Sequence, residues 1–267
     1  SDSAGGGGIQ ADVKAFAAAG CHGMSAVVAL TAQNTVGVSA VHELPPEFVR
    51  AELEAVFDDI GVDAAKTGML FSAELIRTVA DYLADAHVPL VVDPVMVASS
   101  GATLLQEDAI DELVTRLFPL ATVVTPNWYE AHVLASRVRG TVSREPRALA
   151  EAIVEAGAPA VVVTGGHGPE PVDHLYDGEQ HLEIPVERHD VPATHGAGCT
   201  HSATLAALLA RGHSLVEASH GAAAAASSSI RNGLTEIGAG DGPVDVLNVK
   251  ERDGDLARDD AAQAARA

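Results

Sequence analysis

Short apolar runs recur along this chain, each followed by a helical segment before the next begins. Met24 to Thr31, Val62 to Lys66, Pro89 to Val92, Ala121 to Val124 and Ala160 to Val163 are rich in Val and Ala and too short for helices, so they read as buried strands. Helices are expected over Ile9 to Ala19 and from Pro45-Pro46 to about Asp59. Others run from a Ser72 cap to about His87, over Gln106 to Phe118, and after Asn127 through Glu130. Three more cover Pro146 to Ala156, Thr200 to Arg211 and Leu215 to Asn232. Strand–helix alternation requires crossover connections, which predicts an α/β fold: a mostly parallel central sheet with helices on both faces. One hairpin is expected, Val172 to Tyr176 and Gln180 to Pro185 around Asp177-Gly178. No linker or internal repeat divides the chain, so residues 1–249 are expected to form one domain. Residues 250–267 are charged and alanine-rich without a core pattern and read as a frayed tail.

The strand ends carry the chemistry. They close in Gln33-Asn34-Thr35, Gly68-Met69, Asp93-Pro94, Asn127 with Glu130, and Thr164-Gly165-Gly166. In a parallel sheet these ends share one edge, the edge where open α/β sheets bind ligands. Any one cluster could be turn chemistry alone; five together favour a site. The turn Gly196-Ala197-Gly198-Cys199 opens an alanine-rich helix and joins them. Its first amides lack helical partners and the helix dipole adds positive potential, so the turn suits an anion and Cys199 stands where that field favours a thiolate. The same stretch also reads as a glycine-rich connection with a buried cysteine, and by itself does not decide between the two. Asp93 and Glu130 would place two carboxylates near such an anion, a pairing that suits Mg²⁺, although Asp93 could equally cap a turn.

Charge and missing motifs narrow the function. The formal charge is −21, from 37 acidic and 16 basic residues, of which only Lys14, Lys66 and Lys250 are lysines. Such a surface repels nucleic acid and anionic membranes, and its lysine-poor acidity predicts a halophilic, high-salt cytoplasm. Two cysteines, Cys21 and Cys199, give no disulfide framework and fit a reducing compartment. No signal peptide or long apolar run is seen. There is no Walker motif, no Gly-x-Ser-x-Gly elbow and no His-Glu-x-x-His, and His195 with His201 makes a poor zinc site. Gly6-x-Gly8-x-x-Ala11 matches a dinucleotide fingerprint weakly, because no strand precedes it and no acid follows about 20 residues on.

Seven blocks, taken in order, resemble the hydroxymethylpyrimidine/phosphomethylpyrimidine kinase family of the ribokinase-like superfamily, over about residues 1 to 245. They are Gly-Ile-Gln-Ala-Asp (8–12), Ala-Gln-Asn-Thr (32–35), Lys-Thr-Gly-Met-Leu (66–70), Asp-Pro-Val-Met (93–96), Thr-Pro-Asn-x-x-Glu-Ala (125–131), Gly-Gly-His (165–167) and His-Gly-Ala-Gly-Cys-Thr (195–200). The cysteine after Gly-x-Gly is the most specific, since sugar kinases of the superfamily usually carry Asp there. The resemblance implies ATP-dependent phosphorylation of 4-amino-5-hydroxymethyl-2-methylpyrimidine, then of its monophosphate, in thiamine biosynthesis. It implies that Gln33 binds the pyrimidine edge, with Asp12, Met69 and Val95 lining the pocket. Asp93 and Glu130 would sit near Mg²⁺ with Asn127 beside them, and Thr164, Gly165 and Gly166 would approach ATP. Gly196, Ala197, Gly198 and Cys199 would form the anion hole, with Cys199 as candidate base. A cytoplasmic homodimer is implied as well.

Three departures accompany it. The family usually has a strand before Ser1, many relatives carry Lys where Thr164 stands, and the second, thiamine phosphate-forming domain of some relatives is replaced here by a short tail. Two alternatives stay open. One is a pyridoxal kinase, whose hydroxymethyl-bearing substrate ring is similar. The other is a non-catalytic regulator, against which the joint presence of Asp93, Glu130 and Cys199 argues.

Overall fold

The structure is a computed structural model that describes residues 1–98, 101–167 and 170–251. Its centre is a six-stranded sheet whose strands follow one another in chain order: β3 (Ala65–Thr67), β4 (Leu90–Val92), β5 (Val123–Val124), β6 (Val161–Val163), β7 (Val172–Tyr176) and β8 (His181–Pro185). The first four are parallel, with Ala65 opposite Leu90, Val91 opposite Val123 and Val124 opposite Val161. The expected hairpin closes the far side: β7 runs antiparallel to β6 and to β8.

Strands β4, β5 and β6 are short, apolar and buried, because both of their faces are covered, whereas β3 at the sheet edge is Ala-Lys-Thr and only partly buried. Each crossover advances one strand in the same direction, and right-handed crossovers of that kind put their helices on one face. On that face lie α3 (Ala73–Leu83), α4 (Ala109–Glu112, continued by a π turn over Leu113–Leu117), α5 (Trp128–Arg139) and α6 (Pro146–Glu155). Leu75, Ile76, Leu117, Leu134, Leu149 and Ile153 from these helices pack with Val92, Val124, Val161 and Val163. The alternate strand residues Val91, Val123 and Val162 point the other way, as the two-residue period requires. They meet Leu205 and Ala206 of α7 (Ala197–Ala210) and Ala218, Ala222 and Ala223 of α8 (Leu215–Arg231), with Phe16 of α1 (Gly8–Ala18) beside them. The two helices pack closely, and a β-carbon on Gly221 of α8 would come within 2.4 Å of Leu208 of α7. The helices thus cover both faces of the sheet.

The run Met24 to Thr31 is a correction to the sequence reading. It does not enter the central sheet. Regular pairing begins at β1 (Ala29–Gln33), which runs antiparallel to β2 (Val38–Glu43) in a separate two-stranded sheet ahead of α2 (Pro46–Ala55). Only one side of β1 is covered: Ala29 and Thr31 are buried, Leu30 and Ala32 exposed. Asn34 makes the tight loop, its Oδ1 accepting from the amides of Val36 and Gly37 at 2.9 and 3.0 Å. Gln33 therefore reaches the strand-end edge from a hairpin lying over it. Residues 252–267, most of the stretch read as a tail, lie outside the described residues. No described helix is long and apolar enough to cross a membrane.

Candidate active site

The parallel strands end on one cleft of about 1180 Å³. β4 delivers Asp93, whose backbone is held by its N–H to Thr67 O at 3.0 Å and whose side chain is almost fully buried. Asp93 Oδ2 accepts from Ser202 Oγ on α7 at 2.7 Å and lies 3.9 Å from Lys66 Nζ at the end of β3. The same ammonium pairs with Asp12 of α1 at 2.9 Å. Burial alone would lower Lys66. The carboxylates of Asp12 and Asp93 outweigh it and hold the ammonium above the ordinary lysine range. Burial pushes Asp12 up despite that partner.

Two glycine segments interlock beside this cluster. Gly196 is the N-cap of α7 at φ +88°, a conformation that suits glycine, and a β-carbon there would stand 1.8 Å from Gly6 O. A β-carbon on Gly6 would in turn strike the His195 ring at 2.2 Å. No side chain caps α7, so the first-turn amides of Gly198 and Cys199 are left for a ligand. His195 Nε2 lies 2.7 Å from Asp2 Oδ2, and Asp2 also accepts from the amides of Ala4 and Gly7. Burial would raise Asp2, but these bonds hold it below the usual carboxylate range. The Gln33 amide is flanked by Thr31 Oγ1 at 3.1 Å and His195 Nε2 at 3.4 Å, which fixes it at the cleft wall.

Cys199 overturns the expectation drawn from the helix dipole. Its thiol is pushed up to about 12, chiefly by burial, with Asp12 and Asp93 adding to the rise; Lys66 and a hydrogen bond from the Gly8 amide oppose it. Cys199 as a whole residue is partly buried and lines the cleft. Near neutral pH the ligand-free site therefore holds a thiol. A half-charge from a helix end does not outweigh two carboxylates and desolvation.

On the other side of Asp93, Asn127 and Glu130 form a capping box for α5. Asn127 Oδ1 accepts from the amides of Tyr129 and Glu130, and Glu130 Oε2 accepts from the amide of Asn127 at 2.9 Å. Glu130 Oε1 accepts from Met96 N at 3.2 Å, tying α5 to the segment after β4. Burial and the charge of Asp93 push Glu130 up to about 8. That mutual repulsion is what a divalent cation between the two would relieve. Two carboxylates, with no third acidic, His or Cys group completing a ligand cluster among the described residues, suit an ion that takes its remaining ligands from phosphate and water, as Mg²⁺ does.

Met69, Val95, Thr164 and Gly166 all line the cleft, and Asn127 bridges to Thr164. Thr164 follows β6 and donates its amide to Pro126 O at 2.9 Å. Gly166 faces open space. Gly165 is the one expected site residue that does not line the cleft. Its N–H donates to Asp173 Oδ1 at 2.8 Å, and a β-carbon there would strike the Val172 backbone at 2.2 Å, so glycine is required by packing. Behind it, Asp173 Oδ2 lies 3.3 Å from Nε2 of buried His201, which links this loop to α7.

Sequence reasoning gave no role to Lys66, Ser202, Asp2 or His195. Lys66 carried a signal, as a lysine closing an apolar strand in a lysine-poor chain. Ser202 is three residues after Cys199 and so shares a helix face with it. His195 opens the His-Gly-Ala-Gly-Cys-Thr block, but nothing local pairs it with Asp2, which it meets only through the fold.

The comparisons agree with this geometry. Residues 2–245 match the family model described as phosphomethylpyrimidine kinase. A hydroxymethylpyrimidine/phosphomethylpyrimidine kinase of Rhizobium meliloti is 47% identical over 247 residues, covering 91% of this chain and 93% of the relative. Among solved structures, phosphomethylpyrimidine kinase from Clostridium difficile is 38% identical at a TM-score of 0.72, covering 84% of this chain and 93% of that one. A Bacillus subtilis pyridoxal kinase in complex with ADP is 35% identical at a TM-score of 0.82, covering 94% and 95%. With a family match across nearly all of the described chain and a curated relative near half identity, the chain belongs to the phosphomethylpyrimidine kinase family of phosphotransferases.

Proposed function

We propose that the protein transfers the γ-phosphoryl group of ATP to the 5-hydroxymethyl oxygen of 4-amino-5-hydroxymethyl-2-methylpyrimidine, and then phosphorylates the monophosphate to the diphosphate. The observation that carries this reading is the meeting, in one cleft, of the uncapped α7 amides, the Asp93–Glu130 pair and the fixed Gln33 amide. The amides of Gly198 and Cys199 stabilise charge on the transferring phosphoryl oxygens. Gln33 offers a donor and an acceptor to an aminopyrimidine edge, with Met69 and Val95 along the ring and Asp12 beneath it. Asp93 and Glu130 would hold Mg²⁺, which neutralises phosphate charge when bound. Ser202 and Lys66 keep Asp93 aimed, and Asn127 and Thr164 border the nucleotide end.

Cys199 stands where the hydroxyl proton leaves. Because its thiol is protonated in the free site, a role as base requires the bound complex to lower it; Lys66 and the Gly8 amide act in that direction. A loose transition state asks little of a base, so positioning dominates.

A second reading, pyridoxal kinase, is favoured by the higher structural similarity to the Bacillus subtilis enzyme. The test is product analysis: Mg-ATP with the hydroxymethylpyrimidine, and with pyridoxal in parallel, in molar KCl, with products resolved by ³¹P NMR. Mono- and then diphosphorylated pyrimidine is expected; pyridoxal phosphate beside an idle pyrimidine tube would move the protein to the second reading. The same proposal takes residues 1–249 as the kinase domain of a cytoplasmic homodimer adapted to high salt. Sedimentation tests the dimer.

A further inference from the structure

Three buried groups, Asp2, Thr31 and His195, stand around the Gln33 amide at the cleft wall. Asp2 accepts from the amides of Gly7 and Ala4 at 2.7 and 2.8 Å and is held below the usual carboxylate range, so it is ionised and can only accept. His195 Nε2, 2.7 Å from Asp2 Oδ2, therefore carries a hydrogen and donates it. Thr31 Oγ1 has a single hydrogen. It lies 2.8 Å from the Ser1 carbonyl oxygen, which can only accept, so the hydrogen goes there and the hydroxyl turns a lone pair to its other neighbour. The two ends of the Gln33 amide meet these same groups, at 3.1 Å from Thr31 Oγ1 and 3.4 Å from His195 Nε2. In the structure the oxygen end is at Thr31 and the nitrogen end at His195. That sets lone pair against lone pair and N–H against N–H. The oxygen and the NH₂ are close in size, and a half-turn of the amide pairs both ends at once.

We infer that His195, held by Asp2, is the positioning residue that sets the polarity of Gln33, with the carbonyl oxygen toward His195 and an N–H toward Thr31. One lone pair and one N–H are then left for a ligand, with the acceptor on the His195 side. His195 directly precedes Gly196, the N-cap of α7, so that acceptor lies on the side of the uncapped α7 amides. The ligand edge selected there has a donor next to the hydroxymethyl-bearing carbon and a ring-nitrogen acceptor beyond it. The aminopyrimidine has this pattern, since its amino group neighbours the hydroxymethyl carbon and a ring nitrogen follows. Pyridoxal offers an aldehyde oxygen in the amino position, which sets acceptor against acceptor. The inference rests on the reading of Gln33 as the pyrimidine contact and adds what decides which end of the amide faces which end of the substrate.

Calorimetry with two pyrimidines tests it: the amino substrate, and its 4-oxo analogue, in which a ring N–H and the oxygen reverse the order of donor and acceptor. Each is titrated without ATP. Wild-type protein is expected to favour the amino compound by at least about 100-fold. His195→Leu removes the donor, frees the amide to turn, and should cut that preference by about tenfold or more. His195→Gln keeps an N–H for Asp2 and should hold most of it. Damage to the fold weakens both compounds equally, so a wild-type ratio near one, or an unchanged ratio in His195→Leu, overturns the inference. A second measurement needs no variant. In wild-type protein carrying ¹⁵N-labelled glutamine, nuclear Overhauser contacts from the Gln33 NH₂ are expected to reach the Thr31 methyl and not the His195 ring hydrogens; the reverse pattern overturns the inference. Wild-type protein that binds neither pyrimidine defeats the proposed substrate, while the Gln33 contacts still decide the orientation of the amide.

Discussion

Ser202 Oγ and Asp93 Oδ2 lie 2.7 Å apart in the buried floor of the cleft, joining the second turn of α7 to the end of β4. The bond connects the helix whose uncapped amides are proposed to hold the phosphate to the strand whose carboxylate is proposed to hold Mg²⁺. Ser202→Ala removes the donor and leaves Asp93 short of a partner. A stability loss of about 1–3 kcal/mol is expected. A fall in kcat of roughly tenfold should accompany it, with the pyrimidine KM little changed, because a misaimed carboxylate costs most in the transition state. Chemical denaturation and steady-state kinetics check both.

Cys199 should be slow to alkylate. With its thiol pushed up to about 12, little thiolate exists near neutral pH, and iodoacetamide labelling of the ligand-free protein should rise about tenfold per pH unit well past pH 9. Rapid labelling of Cys199 at pH 7, read by peptide mass spectrometry, would contradict the burial argument. The sign for stability follows. The folded value lies above the ordinary 9.0, so the folded protein holds the proton longer. That contribution is complete below about pH 9 and disappears as pH climbs toward 12. Cys199→Ser should slow turnover without abolishing it; complete loss with intact binding would assign the sulfur a larger part.

Gln33→Ala should raise the pyrimidine KM by at least about tenfold, the scale of losing a paired donor and acceptor at a buried ring edge. The ATP KM should hold, because Gln33 comes from the β1–β2 hairpin, whereas Thr164 and Gly166 follow β6. Equal effects on both substrates would mean that the hairpin carrying Gln33 had moved as a unit.

Salt should stabilise the protein. Self-repulsion among 37 acidic residues is screened with a Debye length of about 10 Å at 0.1 M and about 3 Å at 1 M. The unfolding midpoint should rise from 0.1 to 1 M KCl by more than for a protein near neutrality. A flat profile would count against high-salt adaptation.

The parallel core was legible because its inner strands, Leu90–Val92, Val123–Val124 and Val161–Val163, are short Val-rich runs. Ser72 and Pro46 marked helix starts for local reasons, and Asp177-Gly178 marked the hairpin. β2 was missed because Val38–Glu43 mixes polar and apolar residues at a partly covered surface, so its pairing with β1 has no apolar signature. The clustering of the strand ends on one cleft could be read from topology alone. The protonation of Cys199 could not, because it depends on Asp12, Asp93 and Lys66, which come from α1, β4 and β3. The packing reason for Gly165 was hidden likewise: Val172, which leaves it no room for a side chain, comes from the hairpin.

The Asp2–His195 contact spans 193 residues of chain, and the fit of Gly6 against His195 and Gly196 spans nearly as many. During synthesis the α7 turn emerges long after the glycine loop that braces it. The parallel core can assemble from neighbours in sequence as each crossover is completed, whereas this closure must wait for most of the chain and carries a large loop-closing entropy. Ligand-binding competence should therefore be the last property acquired on refolding. Fragments that lack either partner should bind no ligand.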